Sequence, residues 1–338
     1  MSAKLSRANI TQKELAKILG VSQMTISRAL NNRPGVSRKL QRKIRFAIDK
    51  YGYIPNHMAS GLRKKSTNVI GLVVPDISDS FFPEITKIIE KKAKKRGFSI
   101  ILSHSRESYA VERAEINLLR GFRVQGFIIA PSGNQKQVGV YEKLQKLRLP
   151  FVFIDRVKEK IDCSYVVTNT EKGSLQIGRY LLKKGYKKWG YLRGPRSIFT
   201  SESHYKGLCA SLTESGHSTN SIITASAGFK EEDGYRAVQK LMSKAKPDVI
   251  IAINDLVAIG AYRFLKEKGI RVPQDVALVG FSDLKFMDIL EIPLTTVREN
   301  IAEIGQKAIE ILLYQIARPE GPSRKVLVEP ELVIRQSA

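Results

Sequence analysis

From Asn68 onward, short apolar runs alternate with amphipathic helical patterns, and no other feature constrains the fold as strongly. Runs this continuous are typical of parallel strands covered on both faces. They are Val69–Pro75, Ser99–Ser103, Gly126–Ala130, Phe151–Ile154, Trp189–Leu192, Val249–Ile253 and Ala277–Phe281. The helices predicted between them are Glu84–Arg96, Glu112–Arg120, Ser174–Lys184, Tyr205–Ser215, Gly234–Ser243 and Leu256–Lys268. Because about 270 residues are generous for one such sheet, the series predicts an α/β domain of two doubly wound parallel-sheet lobes.

Polar side chains follow the predicted strands at the point where each strand ends. They are Asp76, His104, Ser132, Asp155, Arg193, Asn254–Asp255 and Ser282–Asp283. Ligands of open α/β sheets bind beyond the carboxyl ends of the strands, so these residues predict a ligand cleft between the lobes. A single aspartate in such a place is also a common helix cap, and the prediction therefore depends on the whole set.

The N-terminal region begins with a helix, a glycine turn and a second helix. Thr11 and Glu14 have the spacing of a capping box, so the first helix is predicted to begin after Thr11. Its apolar residues, Leu15, Ile18 and Leu19, are expected on one face. Gly20 follows at the position where a left-handed turn costs least.

The second helix is expected to be capped by Ser22 and to direct Ile26 and Leu30 inward. The residues predicted to face outward are Gln23, Met24, Ser27 and Arg28. Glutamine and arginine make bidentate contacts to base edges, so this pattern indicates a helix that reads the major groove. An ordinary helical hairpin with a solvated polar face is the alternative.

A third helix is predicted from Ser37 to about Tyr51, with Leu40, Ile44 and Ile48 on one face. The net charge of the N-terminal region favours DNA binding over an ordinary helical hairpin. Residues 1–66 carry 15 Lys and Arg against two Asp and Glu, a net charge of +13 out of the chain's +25. Such a local excess predicts salt-dependent attraction to phosphate.

Other functional classes find little support in the sequence. No apolar run reaches the roughly 18 residues of a membrane span, and the N-terminus lacks a signal-peptide apolar region, so we expect a cytoplasmic protein with no membrane partner. Cys163 and Cys209 are expected to be free thiols, and no Cys/His spacing indicates zinc. Walker, dinucleotide, metalloprotease and serine-hydrolase motifs are missing, so we expect neither an enzyme nor a bound cofactor or metal.

Together these segments resemble the LacI/GalR family of bacterial transcriptional regulators over essentially the whole chain. The resemblance is carried by Gly20-Val-Ser-x-x-Thr-Ile-Ser-Arg28-Ala-Leu-Asn-Asn32, Tyr51-Gly-Tyr-x-Pro-Asn56-x-x-Ala59-x-x-Leu62, Ile70-Gly-Leu-Val-Val-Pro-Asp-Ile-Ser-x-x-Phe81-Phe82, Asn254-Asp255-x-x-Ala258-x-Gly260 and Gly280-Phe-Ser-Asp283. Family members bind pseudo-palindromic double-stranded operators as dimers, which implies a homodimer here.

The resemblance also implies roles for particular residues of the DNA-binding part. Base-reading positions correspond to Gln23, Met24 and Arg28, and phosphate-holding positions to Ser22, Thr25, Ser27 and Asn31. Asn56 and Ala59 correspond to the start of a hinge helix, and Leu62 to the leucine that wedges into the minor groove. The expected domains are a helix-turn-helix headpiece at 1–56, a hinge at 57–67 and an effector-binding and dimerisation domain at 68–338.

For the effector domain the resemblance implies the periplasmic-binding-protein fold, with chain crossings near Asn169, Val297 and Lys325. Lobe 1 is then expected at about 68–168 and 298–325, and lobe 2 at about 169–297 and 326–338. Positions that line the family's pocket correspond to Phe81, Phe82, Asp155, Thr200, His204, Phe229 and Asp255. Aromatic faces and carboxylates suit a sugar or sugar derivative.

Two departures from the family pattern fall near this pocket. His204 stands where many relatives have an arginine, which removes a fixed bidentate donor. An Asp-Asn pair of the family is replaced by Asn169-Thr170. The leading hypothesis is therefore a repressor with a small-molecule effector, with a purine disfavoured. The alternatives are a weakly specific architectural DNA-binding protein with a vestigial pocket, a regulator controlled by a protein corepressor, and a sugar-processing protein with an appended DNA module.

Overall fold

The computed structural model describes residues 10–30, 33–53, 67–78 and 81–338. The chain divides into two compact units, Met1–Thr67 and Asn68–Ala338. Within its described residues the first unit contains three helices: α1 (Gln12–Leu19), α2 (Gln23–Leu30) and α3 (Arg38–Tyr51). Each helix contributes one fully buried apolar side chain to a common core, namely Leu15, Ile26 and Ile44.

The predicted ends of α1 are confirmed. The Thr11 amide donates to the Glu14 carboxylate at 2.7 Å, and the Glu14 amide donates to Thr11 Oγ1 at 3.2 Å. Gly20 ends the helix with φ +64°. The prediction that Ile18 shares one face with Leu15 and Leu19 is wrong, because Leu15, Ala16 and Leu19 form the inner face and Ile18 remains 49% exposed.

The second unit contains two lobes, each built on a parallel sheet. In the first lobe the strand order is β11-β5-β4-β3-β1-β2. These strands are β1 (Val69–Val74), β2 (Ser99–His104), β3 (Phe127–Ile129), β4 (Phe151–Ile154), β5 (Ser164–Thr168) and β11 (Lys325–Val328). The helices of this lobe are α4 (Phe81–Lys95), α5 (Tyr109–Gly121), α6 (Gly139–Lys146) and α11 (Ile301–Ala317).

The second lobe has a four-stranded sheet in the order β7-β6-β8-β9. Its strands are β6 (Trp189–Arg193), β7 (Ile222–Ser226), β8 (Val249–Ala252) and β9 (Ala277–Val279). Its helices are α7 (Thr170–Lys183), α8 (Phe199–Glu214), α9 (Glu231–Lys244) and α10 (Asp255–Glu267). A small antiparallel pair, β10 (Thr296–Arg298) and β12 (Glu331–Val333), completes the unit.

The chain passes between the lobes three times. The first crossing follows β5, and the second lies between β10 and α11. The third crossing was expected near Lys325, but Lys325–Val328 is β11 and pairs with β5 in the first lobe. The chain therefore crosses after Val328, and the three connections run side by side between the lobes.

Candidate functional site

The helix predicted to read DNA presents its polar face to solvent. Gln23, Met24 and Arg28 are exposed, and Met24 is 64% exposed despite being apolar. Ser22 caps α2 as predicted, because its Oγ accepts a hydrogen bond from the Thr25 amide at 3.0 Å. An exposed helix that begins at a fixed cap is suited to insertion into a groove.

The residues expected to hold phosphates are placed around the start of this helix. Ser22 is exposed, whereas Thr25 and Ser27 are half-buried on α2. The Gln12 side-chain amide donates to the Gln23 carbonyl at 2.9 Å, which fixes the first turn of α2 against α1. The remaining predicted contacts, Asn31, Asn56, Ala59 and Leu62, lie outside the described residues.

A cavity of about 540 Å³ lies between the two lobes of the second unit. Its size is within the range of small-molecule sites. Side chains from both lobes line it, including six of the seven residues expected there: Phe81, Phe82, Asp155, Thr200, His204 and Phe229. The polar residues Asp76, Asn254 and Ser282, which follow strands, also line it.

Asp255 differs from the expectation and does not line the cavity. Its carboxylate is fully buried, where Oδ1 accepts from Thr296 Oγ1 at 2.6 Å and Oδ2 accepts from the Leu284 amide at 2.8 Å. Burial raises its pKa to about 6. Asp255 therefore holds the segments beside β9 and β10, and its neighbour Asn254 reaches the cavity instead.

His204 is buried in the wall of the cavity. Its Nδ1 lies 2.8 Å from Ser174 Oγ, and its ring packs edge-on against Phe281 with centroids 4.1 Å apart. Burial lowers the pKa of His204 to about 3, so the imidazole is neutral at physiological pH. His204 therefore contributes no positive charge to the cavity wall.

The cavity nevertheless contains an arginine that sequence reasoning missed. Arg156 is buried and forms a bidentate pair with Glu107, at 2.6 and 2.8 Å, and a further contact with Asp155 at 3.1 Å. Its guanidinium lies 4.8 Å from the ring centroid of Phe229, which belongs to the other lobe. The only sequence signal was its position directly after the strand-end residue Asp155.

Glu299 was also missed, because it follows the short strand β10 that the sequence does not reveal. Its carboxylate accepts from Thr168 Oγ1 at 2.5 Å and from Ser282 Oγ at 2.9 Å. Burial and the nearby negative charge of Asp155 raise its pKa to about 7. Glu299 therefore links the first crossing, after β5, to the second lobe at the edge of the cavity.

The lining of the cavity is acidic overall. Among the described residues, five carboxylate residues line it against two cations. The carboxylates are Asp76, Glu107, Asp155, Asp233 and Glu299, and the cations are Arg156 and Lys230. Both cations are paired, since Lys230 Nζ lies 3.5 Å from Asp76 across the cleft. An anionic ligand would therefore meet no uncommitted positive charge among the lining residues.

The described part of the chain contains no group of three or more His, Cys, Asp or Glu side chains that could hold a metal ion. None of its helices is long and apolar enough to cross a bilayer. Cys163 and Cys209 are free thiols.

Comparisons with known proteins identify both units. Residues 11–56 match the model of bacterial regulatory proteins of the lacI family, and residues 67–336 match that of periplasmic binding proteins and the sugar-binding domain of the LacI family. The HTH-type transcriptional repressor PurR of Mannheimia succiniciproducens is 28% identical over 328 residues, covering 97% of this chain and 98% of that protein.

Solved structures extend the likeness to the whole fold. The lac repressor dimer bound to operator and the anti-inducer ONPF superposes with a TM-score of 0.85 at 25% identity, covering 98% of this chain and 99% of that one. A LacI family transcriptional regulator from Enterococcus faecium with bound ribose has a TM-score of 0.70 at 27% identity, covering 80% of this chain and 98% of that one.

A helix-turn-helix unit joined to a two-lobed ligand-binding unit defines a transcription regulator. The chain belongs to the LacI family of bacterial regulatory proteins, and it is an effector-modulated, DNA-binding repressor of that family. The predicted family and fold class are confirmed.

Proposed function

We propose that this repressor responds to a neutral, polyhydroxylated effector, most simply a monosaccharide or a short sugar. The observation that carries this proposal is the acidic, aromatic lining of the cavity. Asp155 and Glu299 supply oxygens that accept hydrogen bonds from hydroxyl groups, and Phe81, Phe82 and Phe229 supply flat apolar surfaces. Ribose bound to the Enterococcus faecium regulator supports the same ligand class.

Other ligand classes fit the cavity less well. A sugar phosphate or an organic acid would have to displace Glu107 from Arg156 or Asp76 from Lys230 before it gained a cation. A purine is the second candidate ligand class. A purine would require a donor and acceptor set matched to its ring edge, whereas most of the charged side chains in this lining are carboxylates, which when ionised only accept hydrogen bonds.

Effector binding is coupled to DNA binding through the contacts that join the lobes. Lys230 pairs with Asp76 across the cleft, Lys285 pairs with Glu84, and Arg156 packs against Phe229. A ligand that favours one separation of the lobes shifts this set of contacts together. Because coupling is reciprocal, operator DNA changes effector affinity by the same factor as the effector changes operator affinity.

The protein acts as a cytoplasmic homodimer with one recognition helix on each half of a pseudo-palindrome. The apolar side chains of Phe286 and Ile289 are 66% and 72% exposed in the single chain, and a second copy that covered them would remove this apolar surface from water.

We assign base reading to Gln23, Met24 and Arg28, and phosphate contacts to Ser22, Thr25, Ser27 and Asn31. We assign minor-groove contacts to Asn56, Ala59 and Leu62. It has no enzymatic role in this proposal.

The first test is selection of preferred sites from a random duplex library with purified protein, followed by titration of the selected complex. Ribose, glucose, hypoxanthine and ribose 5-phosphate represent the three ligand classes. A change in operator affinity with a neutral sugar alone supports the proposal, and a response to hypoxanthine or the phosphate alone overturns the ligand class. Recovery of sequences without any preference would favour the architectural protein.

Two variants test the assigned residues separately. Asp155→Asn should weaken sugar binding at least tenfold and leave operator affinity unchanged without sugar. Asparagine tolerates the left-handed backbone of this position, which has φ +61°. Asp275→Asn, on a surface pair with Arg271, is its control.

Arg28→Ala should lose about 1–3 kcal/mol of discrimination between operator and scrambled DNA. An unchanged ratio would remove Arg28 from base reading.

A further inference from the structure

The six-stranded sheet has an edge that neither the pocket nor the recognition helix uses. All strands of this sheet run parallel, so their amino ends share one edge, here called the amino edge. The chain enters the second unit at this edge, where the Ser99 amide donates to the Asn68 carbonyl at 2.9 Å. Residues that lead into the DNA-binding unit are therefore attached here.

The loops at the amino edge are strongly basic. The residues that precede β2, β3, β4, β5 and β11 span 94–98, 121–125, 146–150, 159–163 and 317–325. These five loops contain ten Lys and Arg against three Asp and Glu, and all thirteen side chains belong to exposed residues. A net charge of +7 on one edge accounts for more than half of the charge outside residues 1–66, which is +12.

Only part of this charge is neutralised within the chain. Arg148 pairs with Glu320 at 2.8 Å and Lys325 with Asp162 at 3.0 Å. Within the part of the chain that the structure describes, Lys94, Lys95 and Arg96 form no ion pair. Lys94 and Lys95 end α4, and Arg96 follows in the turn that leads to β2, the strand beside the entry point of the chain. Cations with no acidic partner are available to an external anion.

A short covalent connection joins the DNA-binding unit to the strand β1, which begins at this edge. Thirteen residues, 54–66, separate Tyr53 of the DNA-binding unit from Thr67. Even fully extended, that segment spans no more than roughly 45 Å, little more than one turn of B-DNA. A duplex bound by the first unit is therefore tethered to this edge by a segment of at most that length, and it offers one phosphate charge about every 1.7 Å of its axis.

We propose that the amino edge of the first lobe binds the phosphate backbone of duplex DNA that flanks the site held by the recognition helices. The contact is independent of sequence and adds affinity and salt dependence to the complex. This inference rests on the proposed operator binding. It goes beyond it by assigning a DNA contact to the effector domain.

The second lobe provides a matched control. Both sheets direct their carboxyl ends to the cavity, so the amino end of the four-stranded sheet lies at the opposite pole of the unit. Lys183, Lys187 and Lys188 lie there and are exposed. The variants Lys94→Gln/Lys95→Gln/Arg96→Gln and Lys183→Gln/Lys187→Gln/Lys188→Gln have the same net charge, so they differ only in where the charge was lost.

The experiment compares operator affinity on a duplex of about 20 bp with that on a duplex of about 60 bp centred on the same site, over a KCl series. Wild type and the 183/187/188 variant should gain about tenfold from the flanks at low salt, and the 94/95/96 variant less than twofold. The slope of log affinity against log salt on the long duplex should fall by about 0.9 for each lost phosphate contact.

Two results would overturn the inference. Equal flank gains and salt slopes in both variants would mean that the charge acts non-locally. No flank gain in the wild type would mean that the amino edge does not bind the flanking DNA. A fixed random-sequence duplex is measured in parallel, so that absence of site preference, which contradicts the proposed function, is distinguished from absence of the flank contact.

Discussion

The two edges of the six-stranded sheet are built from charged residues that serve opposite purposes. At the carboxyl edge Arg156 is 7% exposed and has a bidentate carboxylate partner, and Asp155 beside it has φ +61°. At the amino edge Arg148 and its partner Glu320 are 78% and 79% exposed. Similar arginine–glutamate contacts therefore occur in the largely buried wall of the cavity and on the solvent-exposed surface.

The difference teaches how burial changes the role of charge. Buried charges at the carboxyl edge must be paired, and the pairing fixes the side chains that a ligand would meet. Exposed charges at the amino edge keep their hydration and their mobility, and they attract anions over a Debye length. The acidic cavity, with its fixed side chains, and the basic surface, with its mobile ones, therefore lie at opposite ends of the same strands.

The largest effect is expected from breaking the buried pair. Glu107→Gln removes the bidentate partner of Arg156 and leaves the 3.1 Å contact with Asp155 and the packing against Phe229. Because Glu107 is itself 34% exposed, we expect a loss of about 2–3 kcal/mol, below the 3–5 kcal/mol of a fully buried pair. Urea unfolding of the full-length protein measures the loss. A change below about 0.5 kcal/mol would mean that Arg156 is stabilised by Phe229 and Asp155 alone.

A smaller effect, dependent on pH, is expected at Glu299. Its pKa of about 7 in the folded protein exceeds the ordinary value of 4.5, so the folded state binds the proton more tightly. Below pH 4.5 Glu299 is protonated in both the folded and the unfolded state, so its ionisation does not change the free energy of unfolding. That free energy falls as the pH rises from 4.5 through 7, because the unfolded state ionises first. Glu299→Gln cannot ionise and should be more stable than wild type at pH 8 by on the order of 1–3 kcal/mol.

The test is the difference in unfolding free energy between Glu299→Gln and wild type from pH 4 to pH 8. The difference should be close to zero at pH 4 and reach its plateau near pH 8. A difference that does not vary with pH would show that the effect comes from the hydrogen bonds to Thr168 and Ser282 instead of from ionisation.

Much of the fold could be predicted from the sequence, because its signals are local. The seven predicted strands are those with continuous apolar runs. β5 and β11 were missed because each begins with a polar residue, Ser164 or Lys325, and contains only three or fewer consecutive apolar residues. β11 tolerates Lys325 and the half-exposed Leu327 because it is an edge strand with only β5 beside it.

The candidate site was predictable only in part. Strand-end position identified Asp76, Asp155 and Asn254, which line the cavity. The same rule included Asp255, because sequence position does not show that its carboxylate turns toward Thr296 and Leu284. Glu107 and Glu299 acquire their roles from partners 49 and 131 residues away, so no local pattern could have indicated them.

The smallest effect is expected at the amino edge. Glu320→Gln removes the partner of Arg148 in the same way as Glu107→Gln removes that of Arg156, but both side chains are solvated in either state. We expect a change of no more than about 0.5 kcal/mol in unfolding free energy, decreasing further at high salt. Urea unfolding at low and high KCl measures it beside Glu107→Gln. Equal losses of unfolding free energy in the two variants would mean that the Arg156–Glu107 pair is as well hydrated as the Arg148–Glu320 pair. The two pairs would then differ in position but not in burial.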